Sequence, residues 1–356
     1  MRSHEITKKQ PLLNENGDLL QPGWARSQLF EYHRVDIKAP KFRIKEWDYY
    51  MVLHDGGDEG DSYGVAFTLS DDGYVGLQSV SLLLLNKENP WEHTETVLNV
   101  FPMGKLHLPE TSDEGDCHYE DQRLKLHYKK TDSTREISCV FHDFYDGKTL
   151  TADLVLEQPK MESMVIATPW DKPKHFYYNQ KINTMKAQGR VEFDGKSYEF
   201  SPQQDYGTLD WGRGVWTYDN TWYWGSGNAN VLGHDFGFNI GFGFGNTSKA
   251  TENVIFYDKR IHKLDDVSIE IPNDIDLCDM DSPRYMDVWK ISESHHRFEM
   301  TFVPILDRFA KMDFKLIVSD QHQVFGRMTG FAILDDGSRI ELKDRLCFIE
   351  KVHNKY

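Results

Sequence analysis

The sequence predicts an all-β protein built as two consecutive antiparallel barrels or sandwiches, with few short helices. Three observations carry this expectation. Short runs of β-branched and aromatic residues follow one another along most of the chain, and many alternate apolar with polar side chains. Asp-Gly pairs punctuate the runs at Asp72-Gly73, Asp146-Gly147, Asp194-Gly195 and Asp336-Gly337. Both residue types tolerate the positive φ of tight hairpin turns. The length, 356 residues, exceeds what one small barrel needs, which favours two units over one.

Taken in order, residues 1–34 read as an extended arm. Asn14-Glu15-Asn16-Gly17 and Pro22-Gly23 are turn chemistry, and no helical period follows them. From Trp47 the strands begin with WDYYMVL, YGVAFTLS and GLQSVSLLLL, and continue through EHTETVLNVF, RLKLHYKK, REISCVFHDF and TLTADLVLEQ. Acidic, glycine-containing stretches at 54–62 and 111–116 are solvated loops. Proline-bearing segments near 167–175 mark a join, dividing the chain into an N-terminal half, 35–182, and a C-terminal half, 183–356. GRVEFDGKSYEF is a hairpin around Asp194-Gly195, and the segment from Gly326 to Val352 is another hairpin with a return strand. Short helices or turns are expected at 205–218 and 305–311. No strict internal repeat relates the halves.

Composition narrows the function classes. Aromatics are abundant (Phe 21, Tyr 17, Trp 9), which suits strands and large apolar cores. The formal charge of −16 disfavours nucleic acid and anionic membrane as partners. No stretch reaches the roughly 20 apolar residues of a membrane span, and the N-terminus lacks a signal-peptide core. Cys117, Cys139, Cys278 and Cys347 form no CxxC pair and read as reduced thiols. A cytoplasmic location is the expectation. His295-His296 is adjacent rather than spaced to converge on a metal. There is no HExxH, P-loop, Rossmann fingerprint or GxSxG, so no metal and no cofactor are expected.

The most unusual stretch runs from Asp205 to Gly245. It holds Trp211, Trp216, Trp222 and Trp224, the acids Asp205 and Asp210, and Arg213 between two glycines. In its second half Phe236, Phe238, Ile240, Phe242 and Phe244 share one face. Gly237, Asn239, Gly241, Gly243 and Gly245 share the other. Such a bare face marks a bend or a close approach, either by another backbone or by a ligand. Asp210 and Arg213 invite two readings: a loop-pinning ion pair with tryptophan stacked on the guanidinium, or a carboxyl beside indoles whose raised pKa lets it donate a proton. The cluster Arg43, Lys45, Glu46, Trp47, Asp48, Tyr49 and Tyr50 reads as a solvated strand entrance. Glu350 and His353 read the same way, although a carboxylate–imidazole pair also suits acid–base chemistry.

Several motifs resemble a known bacterial family. GWARSQLFEYHR, RIKEWDYYMV and GYVGLQSVSLL resemble the start of the domain of unknown function 2804 family. QDYGTLDWGRGVWTYDNTWYWGSG resembles its central signature and FGRMTGFAILDDG…FIEKVHNKY its end, with Tyr356 where tryptophan is the expected last aromatic. The resemblance implies a lipocalin-like (calycin) architecture of two β-barrels in tandem. It places the chain near carotenoid hydratases of the hydroxyneurosporene synthase type and near tocopherol cyclases, which act on apolar isoprenoids. No activity and no catalytic residue transfers with it.

Three functional hypotheses follow. The first is a cofactor-independent hydratase, cyclase or isomerase for a lipophilic molecule. Asp205 or Asp210 is then the proton donor, Arg213 orients an acid or anion, and Trp211, Trp216, Tyr218, Trp222, Trp224 and Asn239 line a water-poor hollow. The second is a non-catalytic carrier of an apolar or amphipathic small molecule. The third is a carbohydrate-binding or carbohydrate-active protein with a shallow groove. Oligomeric state is not readable from the sequence.

Overall fold

A computed structural model describes residues 3–57, 60–313 and 318–355. Asp58 and Glu59 of the expected acidic loop, and Tyr356, lie outside the described residues.

Two large, curled antiparallel sheets make up the molecule. In the first, Trp91–Val100, Val75–Leu84, Tyr63–Asp71 and Ile44–His54 lead to Tyr206–Val215, and then to Phe176–Phe193, Lys148–Glu157, Thr134–Tyr145, Leu124–Lys130 and Cys117–Glu120. The second runs Arg260–Lys263, Val254–Tyr257, His234–Phe242, Asp219–Val231, Arg339–Lys355, Val318–Ile333, Phe298–Asp313, Trp289–Glu293 and Val267–Glu270. The two sheets repeat one topology. Each begins as a meander, and its last strand returns to pair with its first: Val215 with Ile44 in one, Lys355 with Asp219 in the other. The halves therefore repeat in topology although no repeat is visible in sequence.

The alternation of side chains along each strand decides three apolar clusters. One face of the first sheet encloses Tyr50, Val52, Phe67, Leu209 and Trp211. One face of the second encloses Phe236, Phe238, Ile240, Trp289 and Phe302. The opposite faces meet in a seam between the barrels that buries Tyr49, Met51, Tyr177, Trp216, Trp224, Phe325 and Phe348.

The glycine-bearing face of residues 236–241 is explained by this seam. Strand Phe176–Phe193 carries a bulge between Ile182 and Met185, with Thr184 at φ 59°. The bulge presses onto the second sheet. Asn183 Nδ2 donates to Ser226 Oγ at 2.8 Å, and the Thr184 N–H donates to Asn228 Oδ1 at 2.8 Å. A Cβ on Gly237 would lie 3.0 Å from Thr184 Cγ2 and 3.2 Å from Asn183 Cβ. At Gly237 the bare face thus admits the bulge of a strand from the other sheet.

Several expectations are corrected. Where short helices or turns are expected at 205–218 and 305–311, the strands Tyr206–Val215 and Phe298–Asp313 stand instead, both central to their sheets; among the described residues only two short 3-10 turns, Arg34–Asp36 and Lys41–Arg43, are helical. The change of sheet lies between Val215 and Asp219, later than a join at 182/183. The long strand Phe176–Phe193 runs through that join, and Tyr206–Val215 returns to pair with both it and Ile44–His54. The arm is tied to the first sheet: Gly23–Ala25 pairs with the strand Met164–Pro169, and Trp24 is buried. Finally, Lys45, Glu46 and Asp48 are buried, not a solvated entrance. Tyr32 Oη donates to Glu46, which also pairs with Arg34, and Asp48 faces Arg213.

Candidate functional site

The central block divides by face. Odd- and even-numbered residues of strand Tyr206–Val215 point into different environments, so residues close in sequence separate in space. Trp211 and Arg213 point into the first barrel. Arg213 is completely buried and stacks over Trp211 at 4.1 Å. Its Nη2 lies 2.9 Å from Asp48 and donates to Pro109 O, and its Nη1 donates to Trp47 O and Gly212 O. Its ion-pair partner is thus Asp48, across the strand pair, rather than Asp210. Asp205 is also completely buried, at the start of the strand, where it accepts the Ser201 N–H at 2.7 Å and meets His54 Nδ1 at 3.0 Å. Tyr218 is exposed. None of these four reaches the tryptophan cluster.

Asp210, Trp216, Trp222, Trp224 and Asn239 do come together, in the seam. Register places Lys181 opposite Asp210, and Lys181 Nζ sits 2.9 Å from Asp210 Oδ2. Asn179 Nδ2 donates to the other oxygen at 2.6 Å. The Lys181 ammonium also lies 4.1 Å over the Trp224 ring, a cation–π contact. From Trp224 the network continues: its indole N–H donates to Asn239 Oδ1 at 2.7 Å, Asn239 Nδ2 donates to Glu252 Oε1 at 3.2 Å, and Tyr177 Oη donates to Glu252 Oε2 at 2.9 Å. Burial raises the Glu252 carboxyl above its ordinary value, only partly offset by Lys181.

A second acid stands nearby. Glu350 accepts the Trp222 indole N–H at 2.9 Å and Gln323 Nε2 at 2.9 Å. Burial raises its carboxyl too, against the lowering effect of those two hydrogen bonds and of Arg308. Tyr49, whose ring meets Trp224 edge-on at 6.0 Å, is pushed up to about 12 by burial.

The indoles pack on one another rather than around a large void. Trp216 lies 5.3 Å from Trp222, 5.5 Å from Trp47, 5.6 Å from Trp170 and 5.7 Å from Tyr177, and Phe244 closes the group. Trp47, Trp170 and Trp222 are only half-buried, so this end of the seam reaches the surface. A cavity of about 340 Å³ lies at the other end of the seam, about 20 Å along strand Ile44–His54. Its lining includes Leu53, Asp55, Gln204, Tyr206, Asn228 and Arg327. Asp55 and Asp344 there clamp Arg327 at 2.7 Å each. That cavity holds no tryptophan. Among the described residues no group of three or more His, Cys, Asp or Glu is set to hold a metal.

Lys181 and Tyr177 carry no sequence signal because they lie on the strand Phe176–Phe193, ahead of the tryptophan block, and Glu252 carries none because it lies in the loop before Val254–Tyr257. Glu350 was visible as half of a pair with His353. The two are in fact separated: His353 bonds Asp219 at 2.8 Å, while Glu350 turns to the indoles.

The chain belongs to the family described as domain of unknown function (DUF2804), whose model matches residues 3–356. Comparison with curated proteins finds no match. Among solved structures, kievitone hydratase from Nectria haematococca is similar, with a TM-score of 0.50 and 10% identity over 87% of this chain and 88% of that one. An AttH-type protein from Nitrosomonas europaea gives a TM-score of 0.45 and 12% identity, over 90% and 96%. CghA with Sch210972 gives 0.36 and 10%, over 88% and 88%. The likeness to kievitone hydratase shows the fold, two lipocalin-like barrels in tandem, and at that identity says nothing of the chemistry.

Proposed function

We propose that this DUF2804 chain takes a lipophilic small molecule at the tryptophan end of the seam and protonates it from Glu350, so that water adds, a ring closes or a double bond moves without a cofactor. The observation that carries this reading is the environment of Glu350. It is a carboxyl held by Trp222 and Gln323, raised above its ordinary value by burial, beside a surface-reaching group of indoles. A carboxyl whose pKa is raised keeps its proton to higher pH than an ordinary one, which suits the acid of such a reaction.

In the proposed step the Glu350 O–H bond breaks and its proton goes to one carbon of a double bond. The cation left on the other carbon faces indole rings, which stabilise it. Water captures the cation and returns a proton to the carboxylate, which gives hydration; capture by an internal double bond followed by proton loss gives a ring. Because the rings pack closely, the ligand displaces Trp222, Trp47 or Trp170 at the surface on binding. Asp210 is held by Lys181 and Asn179 and serves to position Lys181 under Trp224. Asp205 and Arg213 organise the first barrel at a distance from this chemistry.

A non-catalytic carrier is the second reading, favoured by one fact: both Glu350 oxygens already have protein partners. Tryptophan fluorescence quenching against polyprenols, other lipids and sugars, followed by product analysis, tests both readings. Quenching by an apolar class with turnover lost in Glu350→Gln supports the enzyme. Quenching without turnover in the unsubstituted protein supports the carrier. Quenching by sugars alone, or by nothing, overturns both.

A further inference from the structure

We propose that a lip beside the tryptophan end of the seam docks on a phospholipid surface. The lip begins where the edge strand Trp91–Val100 ends. Phe101 and Met103 follow it, 60% and 36% exposed, and both hold left-handed backbone, at φ 53° and 48°. Bulky non-glycine residues rarely occupy that region, and strain of this kind persists where the surrounding structure imposes it. Here it is imposed: the Phe101 N–H donates to Tyr74 O at 2.9 Å and the Met103 N–H to Gly73 O at 3.0 Å. A fixed loop thus turns two large apolar side chains outward.

Neighbouring segments extend the same surface. Gly73 abuts the backbone of Phe42, which is 50% exposed, and Gly104 abuts the side chain of Arg34, next to the exposed Val35. Leu98 and Val100 continue it along the outer side of the edge strand. Contiguous exposed apolar surface of this kind marks an interaction site.

Charge selects the occupant. In a chain of net charge −16, the lip carries the exposed cations Lys38, Lys41 and Lys105. Of the acids nearby, Asp71 and Asp72 are buried, with Asp71 accepting the Gly73 and Gly104 N–H groups, Glu110 is engaged by His33 and by the Arg34 N–H, and Asp36 is exposed. Apolar side chains rimmed by lysines match acyl chains beneath headgroup phosphates. The overall negative charge opposes attachment by electrostatics alone, so insertion of Phe101 and Met103 is the main attraction. Arg43, beside Phe42, donates to Trp216 O at 3.2 Å, which joins the lip to the tryptophan end of the seam. A lipophilic ligand dissolved in a bilayer then has a short path to the indoles.

Vesicle co-sedimentation of the full chain tests the proposal without any knowledge of the ligand. The probes are phosphatidylcholine vesicles with and without phosphatidylglycerol. Binding is expected to both, and to be tighter with phosphatidylglycerol. Paired Phe101→Asn and Met103→Asn changes, which suit left-handed backbone and so spare the fold, lower the bound fraction at least about tenfold. Lys38→Glu with Lys105→Glu abolishes the gain from phosphatidylglycerol. Leu232→Asn, at a distant hairpin tip and 97% exposed, leaves binding unchanged. Glu350→Gln also leaves it unchanged, so failure here is distinct from failure of the acid chemistry. No sedimentation of the unsubstituted protein with either vesicle overturns the proposal, as does full binding by the Phe101/Met103 variant. A dimer in ultracentrifugation that the same variant makes monomeric reassigns the lip to self-association and also overturns it.

Discussion

Trp222 donates its indole N–H to Glu350 at 2.9 Å along a diagonal of the strand pair Asp219–Val231 and Arg339–Lys355, where Glu350 is the direct register partner of Trp224. Diagonal and direct neighbours on one face of an antiparallel pair are within reach of long side chains. One carboxyl is therefore fixed between two tryptophans by the ladder itself, and Gln323 of the next strand holds its other oxygen. The acid is built into sheet geometry rather than carried on a loop.

That placement has a consequence for stability. The folded value of the Glu350 carboxyl lies above its unfolded value, near 4.5, because burial disfavours the charge. The stabilisation from holding this proton is complete below about pH 4.5 and is lost as pH rises through the folded value. Glu350→Gln keeps an oxygen for the Trp222 N–H and removes the titration. Its unfolding free energy is expected to be flatter than that of the unsubstituted protein above that pH, so that the variant gains relative stability as pH rises. Denaturant titrations across the range check this; parallel curves rule it out. Should the protein be the enzyme proposed, the same variant loses about 10²-fold or more in turnover while its ligand quenching stays.

Lys181 gives a second expectation. Its ammonium is buried between Asp210 and the Trp224 ring. Lys181→Met leaves a buried carboxylate without its cation, at a cost of about 3–5 kcal/mol. Adding Asp210→Asn removes the stranded charge and is expected to recover a large part of the loss. Additive losses in the double variant would show that the two side chains do not act as a pair.

The strand pattern was legible because it is local. The runs from WDYYMVL to TLTADLVLEQ each fall within one strand or overrun its end by a single residue, and Asp194-Gly195 turns a hairpin in which Phe193 pairs with Lys196. The face of the site was half legible. Alternation around Phe236–Phe242 marked one packed and one bare side, yet only the structure shows that the bare side receives the bulge at Thr184. The Asp210–Arg213 pair, one of the two readings the sequence offers, does not form because the two residues, three apart on a strand, point to opposite faces. Each finds its partner across the sheet, in Lys181 and Asp48, from strands far away in sequence. Buried charge on the entrance strand escaped for the same reason: Lys45, Glu46 and Asp48 look solvated until the partners that bury them are known.

The close approach at Gly237 can be tested by one methyl group. A Cβ there would stand 2.7 Å from Asn228 Oδ1 as well as against Thr184 and Asn183. The backbone of Gly237 has no positive φ, so Gly237→Ala carries no conformational penalty of that kind, and the effect reports crowding against Asn228 of the neighbouring strand and against the bulge of the other sheet. Destabilisation of about 1–3 kcal/mol is expected from overpacking. A variant with unchanged stability would mean that Asn228 and the bulge make room for a methyl group at little cost.

Trp222→Phe separates the indole's hydrogen bond from its bulk. The bond from Nε1 favours the ionised form of Glu350, and burial opposes it as the larger effect. Removing the donor while keeping an aromatic ring leaves burial less opposed, so the carboxyl of the variant holds its proton to higher pH than before. In an enzyme that uses Glu350 as the acid, the activity is carried by the protonated form. The alkaline limb of the pH–rate profile is therefore expected to move upward in pH in Trp222→Phe, even though the maximal rate falls because the carboxyl is less firmly positioned. Gln323→Met removes the other hydrogen bond to the carboxyl and is expected to move the limb in the same direction. A limb that stays in place in both variants would separate Glu350 from the proton transfer and leave it as a structural acid at the seam.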